Sequence, residues 1–511
     1  MSTDPDGWDD GGGWGDPREP VDRRERDVLR ATRRTRGSGT MSPDTPTGPP
    51  TDVRRFRIGL VATIGVLAAA SAALGFASLA QGPKLVDAAV DVQRVTAVAG
   101  SRVVLQLNQR VDRVDGEVHI SPDEPASLTV DGDRLVVEFA RPLAYDEDVT
   151  VTVDGVVGVA QPAPSTISYA FTTADEPIYT LVRRSPSGEP DVIQRSTTTE
   201  PEPTEVLDAP RLQSFAHAGD VVVAVAVEDD DTNSLRVAGI GDDVQTVGLP
   251  EPGVVRDIGG STTHPLIAFT FTGRAVPGAS EPTYRNALFT LDVSGQNAAP
   301  EPVLGADGAP LEVSSWIFVP GTTSLVVRDV DGALFVVDAL GLAPPAPLGA
   351  HSELRGILPG TTTLVVADPD RGTLIDLATG EGSDNVLPRA ELPDEAYPGK
   401  VRQLDADGTH VLEVLLTVDD GAGGVAARSL LARVDAAGTA VRYATGDGSR
   451  LLDWCVSPNG RLMSVETAAV GSLADGYPHD PSLVDRLTTV VDLADGRVVR
   501  VQNGGSSDWC G

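Results

Sequence analysis

The sequence predicts a single N-terminal transmembrane helix followed by a large ectodomain built almost entirely of β-strands. Three observations lead to this prediction. One long uncharged apolar segment lies near the N-terminus, between Arg57 and Lys84. Beyond it, short runs rich in Val and Thr alternate with turns rich in Gly and Asp, and these residues favour strands and tight turns respectively. From Ile178 onward no apolar pattern with a helical period is visible, and 511 residues are enough for two or three domains.

Residues 56–81 are the predicted transmembrane helix. Their apolar part runs from Ile58 to Ala80, and its 23 residues span about 35 Å at 1.5 Å per residue. A hydrocarbon core is ~30 Å thick, so the segment is long enough to cross it. Many arginines precede the segment and few basic residues follow it, so the positive-inside rule places the N-terminus in the cytoplasm. The expected location is therefore the cell membrane, with one crossing and with residues 84–511 outside the cell.

A cleaved signal peptide is the alternative interpretation of this segment. Ser78 and Ala80 form a small-x-small pattern ahead of Gln81, as a cleavage site requires. The apolar segment and the arm before it are both long for a signal peptide, which favours an uncleaved anchor. Residues 1–55 contain few large apolar groups, cannot bury a core and are predicted to form a disordered cytoplasmic tail.

The ectodomain is strongly acidic. The whole chain has a formal net charge of −34, and residues 85–511 carry 28 basic and 63 acidic side chains. A surface of this charge repels phosphate backbones, which argues against nucleic acid as a partner.

Residues 84–175 show the alternation of apolar and polar positions that is typical of short strands. Asp131-Gly132 and Asp154-Gly155 supply tight turns between them. About seven short strands in about 90 residues are typical of an Ig-like β-sandwich. The residues predicted to face its core are Val103, Leu105, Leu107, Leu135, Val137, Phe139, Val149, Val151 and Val153.

The same segment contains GDRLVVEFARPLAYDEDVTVTVDG and ends in ISYAFTTADEP. With these motifs it resembles the Ig-like domains first described in bacterial S-layer proteins. The resemblance implies a spacer or adhesive module that carries no catalytic residues. The matching residues are Pro142, Leu143, Val149, Val151, Tyr169, Phe171, Thr172 and Thr173.

Residues 178–511 are predicted to form a β-propeller. Paired strands with a turn between them recur every 40–50 residues, for example LVVRDVDGALFVVDAL at 325–340 and LVVADPDRGTLIDLATG at 364–380. This recurrence is typical of propeller blades. The hairpin CVSPNGRLMSVE at 455–466 resembles those of TolB-like and WD40-like propellers. We count about seven blades, and the alternative keeps six and treats 196–205 as a linker.

The C-terminus is predicted to complete the first blade. SSDWCG at 506–511 repeats the pattern of LLDWCV at 451–456, and a closed ring leaves no exposed sheet edge. This arrangement places Cys455 and Cys510 on neighbouring inner strands, and a disulfide between them is expected outside the cell. Two buried free thiols are the alternative.

The search for catalytic or metal-binding motifs is negative. The sequence contains no GxSxG, P-loop, HExxH or Rossmann fingerprint, and its six histidines show no metal-ligand spacing. Asp229, Asp231 and Asn233 alternate as in a calcium loop, but Ser234 and Ile240 stand where an EF-hand needs Gly and Glu. Asp329-Val-Asp-Gly and Asp368-Pro-Asp-Arg read as ordinary turns. No catalytic, cofactor or metal site is therefore predicted, and the chain is expected not to be an enzyme.

The leading functional hypothesis is a binding or scaffold protein at the cell surface. The N-terminal helix would contact the membrane, and the propeller, raised on an Ig-like stalk, would recognise a protein or a cell-wall glycan. One alternative is a propeller enzyme that acts on cell-wall glycan or another extracellular substrate. The other is a structural component of the envelope.

Overall fold

The computed structural model describes residues 51–79, 82–160, 163–184, 187–200, 202–239, 243–275, 282–295, 299–419, 425–506 and 509. The chain divides into two compact units, Met1–Leu74 and Gly75–Gly511. The predicted disordered tail lies outside the described residues except for its last five positions.

Helix α1 spans Thr51–Leu79 and covers most of the predicted transmembrane segment. Its 29 residues extend about 44 Å at 1.5 Å per residue. The side chains of residues 55–72 are exposed, and this stretch has a mean hydropathy of 1.4. Helix α1 is therefore long and apolar enough to cross a membrane, a criterion that signal sequences also meet.

Two four-stranded sheets and one short helix come next along the chain. Helix α2 spans Arg94–Ala97. The strands are β1 Leu85–Val90, β2 Arg102–Leu107, β3 Val111–Val114, β4 Val118–Ser121, β5 Ala126–Asp131, β6 Arg134–Phe139, β7 Asp148–Gly158 and β8 Ser165–Thr172. One sheet has the order β1-β2-β6-β5, and in the other β7 pairs with β3, β4 and β8.

The two sheets enclose one common core, so these strands form a β-sandwich. All nine residues predicted to face inward are buried, with exposures of 3% or less. Residues of both sheets share this core, for example Leu105 and Val137 of the first sheet and Val151 and Ile167 of the second. The predicted alternation is therefore confirmed, because successive side chains of a strand point to opposite faces.

Seven antiparallel sheets follow, and each pairs its strands in sequence order. The first has three strands, β9 Ile178–Val182, β10 Asp191–Ser196 and β11 Thr204–Ala209. The second has β12 Leu212–Ala218, β13 Val221–Val227, β14 Asn233–Ala238 and β15 Gln245–Val247. The third has β16 Gly253–Gly260, β17 Leu266–Gly273, β18 Ala287–Asp292 and β19 Glu301–Pro302.

The other four sheets repeat this meander. The fourth has β20 Val313–Phe318, β21 Ser324–Asp329, β22 Ala333–Asp338 and β23 Ala346–Ala350. The fifth has β24 Glu353–Ile357, β25 Thr363–Asp368, β26 Arg371–Asp376 and β27 Gly382–Asn385. The sixth has β28 Ala396–Gln403, β29 His410–Asp419, β30 Val425–Asp435 and β31 Gly438–Ala444. The seventh has β32 Ser449–Val456, β33 Leu462–Ala469, β34 Leu487–Asp492 and β35 Val498–Asn503.

Neighbouring sheets bury their apolar faces against each other. Val225 of the second sheet and Phe269 of the third share one core cluster, and Val327 of the fourth joins Leu288 of the third in another. A succession of four-stranded meanders packed face to face is the architecture of a β-propeller. The segment 196–205, which the six-bladed alternative treats as a linker, lies between β10 and β11 within the first sheet.

The C-terminal segment lies beside the three-stranded first sheet. Leu181 of β9 donates its N–H to Gly505 O at 2.9 Å and accepts the Gly505 N–H at 3.1 Å. Glu466 of β33 accepts the N–H of Ser506 at 2.7 Å and pairs with Arg486 at 2.8 Å. Gly504–Ser506 is therefore held between the first sheet and the seventh.

Cys455 lies on β32 and is 7% exposed. Cys510 lies outside the described residues. The predicted disulfide between the two therefore stays a prediction.

We predict that Gly505→Ala destabilises the fold. A Cβ atom there would lie 2.3 Å from Oε1 of Glu466, a carboxylate already fixed by Arg486 and Ser506. Overpacking of this kind costs about 1–3 kcal/mol, which urea unfolding measures. Gly446→Ala is the matched control, since a Cβ at Gly446 meets nothing within 4 Å, and it should change stability by less than about 0.5 kcal/mol. Equal stability of the two variants would show that the packing around Gly505 is not restrictive.

Candidate functional site

The sandwich contacts a set of similar turns that connect the first and second strands of the propeller sheets. Three of them have related sequences, VPGTTS at 319–324, LPGTTT at 358–363 and SPNGRL at 457–462. In each turn the first residue donates its N–H to the carbonyl of the sixth, at 2.9 Å in all three cases. This common geometry presents Pro and Gly on the side of the propeller that the sandwich contacts, where Gly321 lies beside Val98 and Gly360 beside Pro142.

Polar contacts fix the sandwich on these turns. Asn459 donates from Nδ2 to Leu143 O at 3.1 Å, and its backbone N–H donates to the Tyr145 hydroxyl at 3.3 Å. Ala99 donates its N–H to Gly360 O at 2.7 Å. Arg461 forms an ion pair with Glu124, whose side chain is 10% exposed. These contacts join the sandwich and the propeller sheets within one compact unit.

Tyr145 is buried at this seam. Burial raises the pKa of its hydroxyl well above the usual value, and the neighbouring Glu176 carboxylate raises it further. The hydroxyl therefore stays protonated at any physiological pH and donates a hydrogen bond to Glu176. Through this hydrogen bond the Glu176 carboxylate takes part in the contact between the sandwich and the propeller sheets.

A cavity of about 220 Å³ lies between the sandwich and the propeller sheets. On one side it is bounded by α2 and by the connector from Ala174 to Pro177. On the other side it is bounded by the ends of the first strands of the second to seventh sheets. The residues at these ends are His217, Gly260, Phe318, Ile357, Arg402 and Val456. The cavity thus lies between two folding modules, a usual place for ligand binding.

Aromatic rings and prolines form the apolar part of the wall. Trp316 and Phe318 of β20 meet edge to face, with ring centroids 5.8 Å apart. Trp509 of the C-terminal segment also lines the cavity. The indole Nε1 atoms of Trp316 and Trp509 are buried and have no hydrogen-bond partner among the described residues.

The wall carries charges of both signs, from Asp175, Glu176, Asp220, Arg195 and Arg402. Arg402 lies on β28. Its guanidinium donates from Nη1 to Arg355 O at 2.9 Å and from Nη2 to Ile357 O at 3.1 Å, so β24 holds it in place. Burial lowers the pKa of Arg402. The guanidinium of Arg402 can occupy this position only because residue 356 is glycine, since a Cβ atom at Gly356 would lie 1.5 Å from Arg402 Nη1. Within the described parts of the chain, no carboxylate forms an ion pair with Arg402.

Asp175 in the connector is occupied by the turn after β10. Its carboxylate accepts hydrogen bonds from the hydroxyl groups of Thr198 and Thr199 and from their backbone N–H groups. Burial raises the pKa of Asp175, but the hydrogen bonds from the threonines outweigh it and hold the pKa below its ordinary value. Asp175 thus ties the connector to the first sheet.

A second buried polar cluster lies outside the cavity. Arg183, next to β9, pairs with Asp475 and with Asp480, and its guanidinium lies 4.1 Å from the ring centre of Tyr477. The Tyr477 hydroxyl donates to Asp191. The side chains of Arg183 and Asp475 are 1% and 0% exposed, so no substrate reaches them and the cluster ties the first sheet to the segment before β34.

The acidic motifs of the sequence are separated from one another. Asp231 has a positive φ of 61° and Asp230 pairs with Arg274, as expected of a turn. Asp368 accepts hydrogen bonds from Ser352 and His351, which lower its pKa. The described part of the chain contains no group of three or more His, Cys, Asp or Glu residues placed to hold a metal ion.

Sequence reasoning missed the cavity residues Arg402, Trp316 and Trp509. Arg402 lacks a motif, and its contacts with β24 span more than 40 residues of chain. The turns at the seam had a visible signal, since PGTT occurs twice at the same place in two successive sheets. A comparison of the sequence with itself would have identified them.

Searches for similar proteins give structural neighbours only. No protein-family model matches the sequence, and no curated protein matches it. The solved structures that resemble it include TolB from Acinetobacter baumannii, with a TM-score of 0.28 and 12% identity over 71% of this chain and 78% of that one. Another is the dihydro-heme d1 dehydrogenase NirN in complex with DHE, with a TM-score of 0.35 and 13% identity over 65% of this chain and 74% of that one. A third is the uncharacterized protein lmo1340 from Listeria monocytogenes EGD-e, with a TM-score of 0.36 and 11% identity over 65% of this chain and 91% of that one. All three TM-scores lie below 0.5, so these likenesses say nothing about function.

We predict that Asp175→Asn destabilises the protein at neutral pH. The wild-type carboxylate has a lowered pKa in the folded state, so its stabilising effect is complete above the unfolded-state pKa of about 3.9. The effect disappears as the pH falls through the lower folded-state pKa. Urea unfolding midpoints should therefore differ between wild type and variant at pH 7, and the difference should shrink at acidic pH, once the pH falls through the folded-state pKa of Asp175.

Asp220→Asn is the control, because Asp220 lines the same cavity but is exposed. Its midpoint should match that of the wild type at both pH values. A difference between wild type and Asp175→Asn that does not change with pH would contradict the role assigned to the carboxylate.

Proposed function

We propose that this chain is a membrane-anchored binding protein of the cell exterior whose recognition site is the cavity between the sandwich and the propeller. The cavity is the observation that carries the proposal. It combines an apolar wall with a few buried polar groups, the composition of ligand pockets in general. Its bottom and roof come from two different folding modules, which is also a usual location for binding sites.

Helix α1 is the proposed anchor. Its length and composition fit a bilayer, and the arginines before it, including Arg54, Arg55 and Arg57, favour a cytoplasmic N-terminus. With that orientation residues 84–511 are outside the cell. The strong negative charge of this part suits a soluble body that repels the anionic membrane surface.

The sandwich would have two tasks. As an Ig-like module of the S-layer type it would be a stalk that raises the propeller, and through its contacts with Asn459 and Gly360 it would also cover the channel mouth. We further propose that Gly504–Ser506 closes the ring by adding the missing edge to the first sheet. The pairing of Gly505 with Leu181 and the predicted Cys455–Cys510 disulfide would hold that closure.

Binding is favoured over catalysis by the state of the carboxylates near the cavity. Asp175 accepts hydrogen bonds from threonines and Glu176 from Tyr145, so both carboxylates hold the seam together. The third carboxylate of the lining, Asp220, is exposed, and aromatic rings form much of the remaining wall. We therefore expect the cavity to bind a ligand and not to catalyse a reaction.

The topology is tested with protease added to intact cells that express the full chain with a different epitope at each end. The C-terminal epitope should be digested without permeabilisation, since the ectodomain is outside. The N-terminal epitope is the internal control and should be lost only after permeabilisation. A protected C-terminal epitope in intact cells would overturn the proposal of a surface binding protein.

A further inference from the structure

The seventh sheet contains a long connection between its second and third strands. Residues 470–486 connect β33 to β34, whereas residues 369–370 make the equivalent connection in the fifth sheet. We call residues 470–486 the strap. The strap folds back on itself as a short hairpin, in which the N–H of Asp475 donates to Ser482 O at 3.0 Å. Its tip, residues 476–481, contacts other sheets of the propeller.

Tyr477 is the aromatic anchor of the tip. It is 3% exposed, and its hydroxyl donates to Asp191 of β10. The guanidinium groups of Arg183 and Arg211 lie 4.1 Å and 5.5 Å from the centre of its ring. Cations at these distances are attracted to the electron-rich face of an aromatic ring. Tyr477 thus joins the strap to the first sheet and to the residue that precedes β12.

Asp475 is the charged anchor of the strap. Its side chain is fully buried, and one carboxylate oxygen pairs with Arg183. The other oxygen accepts the N–H of Ser482 at 3.0 Å and that of Tyr477 at 3.3 Å. Arg183 also donates to Asp480 O at 2.9 Å. Asp475 therefore shapes the tip and at the same time fixes it on the first sheet.

The tip also reaches the second and third sheets. His479 Nε2 lies 2.6 Å from Asp231 O, in the turn between β13 and β14. The carbonyl of His479 accepts a hydrogen bond from Arg256 of β16 at 3.3 Å. Together with the anchors on the first sheet, these contacts connect the seventh sheet to three others through one strap.

The strap depends on its anchors because it has no apolar core of its own. None of its residues belongs to an apolar core cluster of the described residues, and Val470 and Leu473 are 68% and 74% exposed. Regions with few buried apolar contacts open at a lower free energy than the strands around them. The strap has this property, whereas β33 and β34 on either side of it are buried along most of their length.

We propose that the strap is a releasable fastening between the seventh sheet and the first three sheets. In the bound state Tyr477 and Asp475 hold the first sheet, which has three strands where the other propeller sheets have four. In the released state the strap is exposed to solvent, the sheets stay folded and the first sheet becomes more dynamic. This inference is independent of the proposed ligand binding, because the strap does not line the cavity.

Hydrogen–deuterium exchange of the full chain in phosphatidylcholine nanodiscs, read by mass spectrometry at residue resolution, tests the release. The informative amides of the strap are those of Asp475, Ser482 and Val484, because each donates a hydrogen bond. In the wild type they should exchange at least tenfold faster than the amides of β33 and β34. Equal exchange would mean that the strap opens only when the sheet unfolds, and would overturn the inference.

Two variants test what the strap holds. Tyr477→Ala removes the aromatic anchor and should make the amides of β9, β10 and β11 exchange roughly tenfold faster or more. Tyr477→Phe keeps the ring beside both arginines and loses only the hydrogen bond to Asp191, so it carries less risk to the fold and should raise these rates about threefold. The amides of β24, β25 and β26 in the fifth sheet should keep their wild-type rates in both variants. Unchanged exchange of the first sheet in both variants, or an increase in Tyr477→Phe that is equal in the first and fifth sheets, would refute the role of the strap.

Tyr397→Ala is the matched control. It also removes a tyrosine ring, but Tyr397 lies on β28 and is 64% exposed. The first sheet should exchange at the wild-type rate in this variant. An increase equal to that of Tyr477→Ala would show that the loss of any tyrosine disturbs the first sheet, and would contradict the inference.

Discussion

The fit of the sandwich onto the strand-connecting turns of the propeller is the contact on which the rest of the structure depends. Without it there would be no cavity between the two modules, because the sandwich and its connector form one side of the cavity wall. The fit is possible because VPGTTS, LPGTTT and SPNGRL form turns of one geometry that expose Pro and Gly. Asn459 then donates a hydrogen bond to the carbonyl of Leu143, whose residue is fully buried.

The charge of the whole chain argues against nucleic acid as a partner. A net charge of −34 repels phosphate backbones at long range, and salt screens this repulsion within about 10 Å. The cavity wall carries charges of both signs, since Asp175, Glu176 and Asp220 line it together with Arg195 and Arg402. Asp175 is held by the threonines after β10, and Glu176 accepts a hydrogen bond from Tyr145.

Much of the fold was predictable from the sequence, because strand alternation has a period of two and helix-length apolar runs are rare in β proteins. Val103, Leu135 and Val151 were assigned to the core on alternation alone, and each is fully buried. The cavity was not predictable, because it depends on how two modules meet. Arg402 is positioned at the cavity by hydrogen bonds to backbone carbonyls of the preceding sheet. Trp316 lines the cavity because it lies near the end of β20. Neither arrangement produces a motif in the local sequence. The Cys455–Cys510 disulfide stays a prediction, since Cys510 lies outside the described residues.

The central claim is that the contacts of the sandwich with the strand-connecting turns form the cavity. The most direct measurement is ¹⁹F NMR of the full chain labelled with 5-fluorotryptophan, which gives one resonance for each of its five tryptophans. Asn459→Ala removes the hydrogen bond to the Leu143 carbonyl and should shift the resonances of Trp316 and Trp509, which line the cavity, whereas Gly446→Ala should leave both in place. A spectrum in which neither cavity tryptophan responds to Asn459→Ala would contradict the account.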